Sequence, residues 1–164
     1  NYEESCTYIS KISNGQVRDA ISNLEKCISF SKDLTMDNVM SCLGDYYYDM
    51  YFSFIDSMLD GKIADIYTLI ETVYNNGSDL KLFVDRFLDF CIDLSKYCIF
   101  KDISITKIPN ILENKLKSCT LFDGAIKYYN YYTDELLNLK NMLKTDVNPL
   151  STIEVVFCKM ARLE

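Results

Sequence analysis

Over residues 122–144 the apolar side chains of Phe122, Ala125, Tyr129, Tyr132, Leu136, Leu139 and Leu143 step by three and four through three heptads. That spacing is the seam of a helix lying lengthwise on another helix, and it predicts a long helix crossing a bundle. Residues 79–100 carry a wider stripe, with Leu80, Phe83, Val84, Phe87, Cys91, Leu94 and Cys98 joined by Leu82, Phe90 and Ile92. So wide a stripe predicts a central helix covered on several sides. β-Alternation is nowhere sustained, so the fold class is all-α.

The remaining segments read the same way. A first helix over Tyr2–Ile12 stops at Asn14-Gly15, a pair suited to the left-handed cap. The second follows at once, with an apolar stripe of Val17, Ala20, Ile21, Leu24, Cys27 and Ile28 beside a polar face of Arg18, Ser22, Glu25 and Ser29. After a loop over 31–34, Thr35 N-caps a short helix, Met36–Leu43, that Gly44 ends. A first unit of residues 1–44 closes there, and a second unit covers 45–164.

In that second unit Asp45-Tyr46-Tyr47-Tyr48 leads into a helix stopped by Gly61, and Ile63–Asn75 is stopped by Gly77. Residues 101–109 hold Ile103, Ile105 and Ile108 in alternation, but a lone strand has no sheet to join, so a packed linker is expected. A short helix over 110–117 precedes the long one. Asn148-Pro149 supplies a cap and an N1 proline for a last helix to about Leu163, with Leu150, Ile153, Phe157 and Met160 inward.

Composition narrows the function classes. The 164 residues carry a net charge of −7, which argues against a wide phosphate-binding surface for nucleic acid and makes a basic partner surface the easier match. With no histidine, the commonest general base and zinc ligand are missing. The seven cysteines (Cys6, Cys27, Cys42, Cys91, Cys98, Cys119 and Cys158) form no Cys-x-x-Cys pair, so they read as small core residues in a reducing cytoplasm. The start at Asn1-Tyr2-Glu3-Glu4 suggests a piece of a longer protein. No apolar run approaches the roughly 20 residues of a bilayer span, so no membrane partner is expected. No phosphate-binding Gly-x-x-x-x-Gly-Lys-Ser/Thr loop and no nucleophile–base pair is present, so the chain is not expected to be an enzyme or a complete ATPase.

Arg18 is the side chain that helix electrostatics would not choose. It sits in the first turn of a helix, where the partial positive charge disfavours a cation by roughly 0.3–1 kcal/mol but welcomes a phosphate. Arg18 and the helix N-terminus can together hold a nucleotide phosphate; alternatively, Arg18 pairs with Asp19 or Ser22 on a helix that only packs. Two other groupings have double readings. The tyrosines at 46–48 and 128–132 suit either stacking on single-stranded nucleic acid or core and interface packing. Asp85 and Asp89, one turn apart, suit either a metal ion or a solvated helix face.

Taken together, Ser13-Asn14-Gly15-Gln16-Val17-Arg18-Asp19-Ala20-Ile21-Ser22-Asn23-Leu24 and Leu34-Thr35-Met36-Asp37-Asn38-Val39-Met40-Ser41-Cys42-Leu43-Gly44 resemble the gamma/tau subunit of bacterial DNA polymerase III, an AAA+ clamp loader. In that family a Gly-x-x-Arg-Asp-Ala helix is the sensor 2 element of the lid, and a short helix ending in Leu-Gly closes the lid. Gly61, Gly77-Ser78-Asp79 and Asn148-Pro149 followed by Ile153-Glu154 echo the family's helical collar by pattern; Leu150 stands where the family commonly has arginine.

The resemblance implies that 1–44 is the C-terminal part of an AAA+ lid and 45–164 a helical collar that mediates oligomerisation. Arg18 would contact the phosphates of ATP bound, with magnesium, to an N-terminal domain of the same subunit, and Asn14 and Gly15 would shape the turn that aims it. The implied partners are gamma/tau, delta and delta-prime subunits through the collar, with the sliding clamp and primer–template DNA reached through other parts. Alternatives are a delta-prime or other AAA+ clamp-loader relative, and a free-standing helical adaptor.

Overall fold

The computed structural model describes residues 2–43 and 48–161. Nine α-helices run through the described residues: α1 (Tyr2–Ile12), α2 (Val17–Phe30), α3 (Met36–Leu43), α4 (Tyr48–Leu59), α5 (Ile63–Asn75), α6 (Leu80–Phe100), α7 (Glu113–Thr120), α8 (Ala125–Leu143) and α9 (Pro149–Met160). No strand occurs among the described residues. The stop at Gly44, the boundary between 44 and 45, the residues Asp45, Tyr46 and Tyr47, and the helix end near Leu163 lie outside them.

The helices begin and end for local reasons. α1 gives way to two consecutive left-handed residues, Asn14 at φ 51° and Gly15 at φ 74°. Asparagine tolerates that region and glycine enters it freely, so the expected cap forms. Thr35 caps α3 by accepting from the Asn38 N–H at 3.3 Å. The Asp79 carboxylate accepts from the amides of Lys81 and Leu82 at the head of α6. At α9 the capping carboxylate comes from Asp146, which takes the Asn148 N–H at 2.8 Å and the Thr152 hydroxyl. Asn148 makes no side-chain cap of its own, and Pro149 occupies N1 as expected.

Two apolar cores result. Tyr8, Ile9, Cys27, Leu34 and Val39 close the small one among α1, α2 and α3. The large one is organised around α6, which buries ten side chains and lies along α8. Ala125, Tyr129, Tyr132, Leu136, Leu139 and Leu143 form the seam of α8. Phe122 does not join it: Gly124 at φ 77° turns the chain just before the helix starts, leaving Phe122 38% exposed. At the centre, the rings of Phe54, Phe87 and Phe157 meet with centroids 5.3–5.6 Å apart, one pair tilted, one edge-on and one stacked. Such pairs add about 0.5–1.5 kcal/mol each beyond the area they bury.

The linker over 101–109 carries a 3-10 turn, Ile103–Ile105, and anchors itself with the fully buried Ile108, while Ile105 stays exposed. It is a packed linker without a strand. A second 3-10 turn, Asn110–Leu112, leads straight into α7, which runs to Thr120 and so ends beyond the sequence expectation.

Candidate functional site

The α1–α2 turn is tied down from both sides. Ser13 donates its hydroxyl to the Ile9 carbonyl at 2.7 Å and accepts from the Asn23 amide at 3.2 Å, joining the end of α1 to the middle of α2. The Gln16 N–H bonds the Ser13 carbonyl at 2.9 Å, and the Ala20 N–H closes the first turn of α2 on the Gln16 carbonyl at 3.0 Å. A Cβ at Gly15 would meet nothing within 4 Å, so its positive φ is what glycine supplies here.

Gln16 provides no side-chain cap. The first amides of α2, those of Val17, Arg18 and Asp19, therefore point outward beside an exposed Arg18. No ion pair or hydrogen bond of the Arg18 side chain occurs among the described residues, so the pairing with Asp19 or Ser22 is not formed. Asn14 and Gly15 form the turn before α2, and Arg18 lies in the first turn of that helix. An exposed guanidinium in the uncapped first turn of a helix is a combination of donors that suits a single anionic oxygen group.

The apolar stripe of α2 is only partly covered. Cys27 is buried and Ala20 and Leu24 half-buried, but Val17 is 72%, Ile21 52% and Ile28 55% exposed. The apolar stripe read from the sequence is therefore only partly an inner face. Among the described residues α2 packs chiefly on α1 and α3, which leaves part of its stripe uncovered. Ile9, Gly15, Val17, Ala20, Ile21 and Leu24 border a shallow apolar groove of about 220 Å3 beside the turn that carries Arg18.

The other sequence candidates resolve into packing. Tyr129 and Tyr132 are fully buried, and the Tyr129 hydroxyl donates to the Cys119 carbonyl. Tyr48 is buried and donates to the Lys107 carbonyl at 3.2 Å. Asp85 pairs with Lys140 of α8 at 3.4 Å, and Asp89 is exposed. Among the described residues no group of three or more Cys, Asp or Glu is gathered as a metal would need. No helix among them is long and apolar enough to cross a membrane. Cys27, Cys91, Cys119 and Cys158 are core residues as expected, Cys42 and Cys98 are half-buried, and Cys6 is exposed, which departs from the core reading. Burial and the neighbouring Cys42 thiol push the Cys27 thiol up to about 11, so it is protonated at neutral pH.

Two polar residues that sequence reasoning passed over meet where the two cores adjoin. Lys11, in the last turn of α1, donates to the Ile108 carbonyl at 2.6 Å and to Asn110 Oδ1 at 3.3 Å. Burial holds its ammonium below the usual lysine value, against the opposing pull of Asp93, Asp102 and Glu113. Asp93 of α6, 5% exposed, accepts the Lys107 N–H at 2.9 Å and lies 3.6 Å from the Lys96 ammonium. Burial raises its carboxyl above the ordinary value despite those contacts. The only sequence signal for either was an aspartate on the inner stripe of α6.

Comparison of the sequence with protein-family models and with curated proteins gives no match.

Proposed function

We propose that this chain is the lid-and-collar portion of a clamp-loader subunit similar to gamma/tau of bacterial DNA polymerase III, with Arg18 as its ATP-sensing arginine. One observation carries the reading: an exposed Arg18, with no ion pair or hydrogen bond of its side chain among the described residues, sits in the first turn of α2, which has no side-chain cap, behind the left-handed Asn14-Gly15 turn. The uncovered strip of Val17 and Ile21 beside them supports it, since a nucleotide-binding domain docking there would cover the strip and deliver a phosphate to Arg18.

The residues present fit one phosphate contact. The sequence has no loop to cradle a triphosphate and the described residues gather no ligand set for magnesium, so ATP and magnesium would sit in the N-terminal domain that the resemblance places upstream. Loss of the γ-phosphate would remove a charge-assisted hydrogen bond to Arg18 and release the lid to rotate. The six helices from α4 to α9 would act as the collar, joining gamma/tau, delta and delta-prime neighbours within the cytoplasmic replication machinery. The sliding clamp and primer–template DNA would be engaged by other parts.

A second reading, a helical adaptor, draws on the same groove, with Val17 and Ile21 gripping a protein segment. One experiment separates the two. In the subunit that joins this chain to its upstream domain, Arg18→Ala should weaken ATP binding by roughly ten- to a hundred-fold, as expected for a lost hydrogen bond to a charged group. Clamp loading should fall with it. Unchanged ATP affinity and clamp loading would reject the sensor and leave the adaptor.

A further inference from the structure

The small and large cores adjoin without interlocking. Among the described residues Met40 is the partly buried apolar residue packed against both, and no helix of α1–α3 packs extensively along a helix of α4–α9. Two cavities line the junction instead. One, of about 220 Å3, is bordered by Ile12, Tyr48, Phe90, Asp93 and Lys107; the other, of about 230 Å3, by Met36, Met40, Tyr48, Ile111 and Leu112. An interface with gaps of that size forgoes the dispersion contacts that lock cores together, and its polar walls admit water.

Lys11 spans this junction. Its ammonium grips the carbonyl of Ile108, whose side chain is fully buried in the large core, and the side chain of Asn110. The grip falls on backbone that cannot shift easily, because the adjacent Lys107 N–H is held by Asp93 from the middle of α6. On the other side, Lys11 precedes the turn that aims Arg18, and Ser13 ties that turn to both α1 and α2. Lys11 and Arg18 therefore flank a turn that hydrogen bonds tie to the end of α1 and the middle of α2.

We propose that Lys11 is a positioning residue that latches the α1–α3 unit to the linker over 101–109, so that a displacement of Arg18 is passed to the large helical unit through it. The latch stands on the geometry of this chain; the transmission of a nucleotide signal through it rests on the function proposed above.

The test measures the distance between spin-labelled amino acids introduced at the exposed Ser22 of α2 and Asn130 of α8. The full chain should give one narrow distance population, and Lys11→Arg, which keeps donors on a long stem, should preserve it. Lys11→Met and Lys11→Gln should add a second population, the open fraction rising on the order of ten-fold, while the unfolding midpoint of the large core stays in place. A narrow wild-type-like distribution in K11M, a wild type already broad, or a K11M chain that fails to fold would each overturn the latch. In the subunit joined to its upstream domain, K11M should bind ATP as wild type does yet lose the nucleotide-dependent distance change. Unaltered ATP binding in R18A would sink the sensor reading and leave the latch measured in the full chain intact.

Discussion

The α1–α3 unit and the α4–α9 unit are written in the same helical period but bury very different shares of it. Among the described residues the first closes on five buried apolar side chains and the second on 33, although it has fewer than three times as many residues. The large unit can fill a core from its own aromatic rings. The small one leaves Val17, Ile21, Ile28 and Phe30 of α2 more than half exposed. A unit that stops short of covering its own stripe has surface to give to something else, and it opens more readily than a filled one. On the proposed function the difference would divide the labour: a filled body for assembly, and a less filled one, carrying Arg18, that moves when its latch is released.

The largest effect should come from the centre of the large core. Phe87 is fully buried against Tyr51, Phe54, Phe83, Phe90 and Phe157. Phe87→Ala should cost about 3–5 kcal/mol and lower the main calorimetric transition. Ile9→Ala, in the small core and 3% exposed, should cost about 2–5 kcal/mol locally. Its effect should be confined to α1–α3, read as lost amide signals there with α6 and α8 unchanged. If Ile9→Ala lowers the main transition as much as Phe87→Ala does, the two units unfold as one and the comparison fails.

A pH series comes next. Because the Asp93 carboxyl lies above its ordinary value, the native state holds that proton more readily than the unfolded chain does. Its burden on the fold is then greatest at neutral pH and fades as pH falls through the raised native value. Asp93→Asn, which can still accept from the Lys107 N–H, should stabilise the large unit at neutral pH and lose that advantage on acidification. Chemical denaturation at successive pH values follows this; an advantage that grows as pH falls would reverse the sign. Tyr132 has a buried hydroxyl with no partner, so Tyr132→Phe should be neutral or raise stability by up to about 1 kcal/mol. The smallest change belongs to the uncovered face, where Ile21→Ser should stay within about 0.5 kcal/mol of wild type.

Most of the fold was legible because its signals are local. Left-handed Asn14, Gly15, Gly61 and Gly77 stop helices where their conformational freedom is needed, and the α6 and α8 stripes report their burial directly. The errors have physical causes. Phe122 continues the heptad rhythm by spacing alone, yet Gly124 ends the helix short of it. The α2 stripe was read correctly as one face, but period says which residues share a face and not whether anything covers it. At the candidate site the left-handed turn at Asn14 and Gly15 and the exposed place of Arg18 were legible because the turn and the helix start are contiguous in sequence. Lys11 and Asp93 were not, since they meet the linker from positions about a hundred and about fifteen residues away, a juxtaposition that only the folded chain creates.

Native-state hydrogen exchange, read residue by residue on the full chain, tests the unequal pair of units most directly. The amides of Cys27 and Val39 should exchange through an opening of distinctly lower free energy than those of Phe87 and Leu136, with the α6 and α8 amides still protected while α1–α3 opens. Equal protection across both sets would contradict the account, because the chain would then be one cooperative body with no looser part to move.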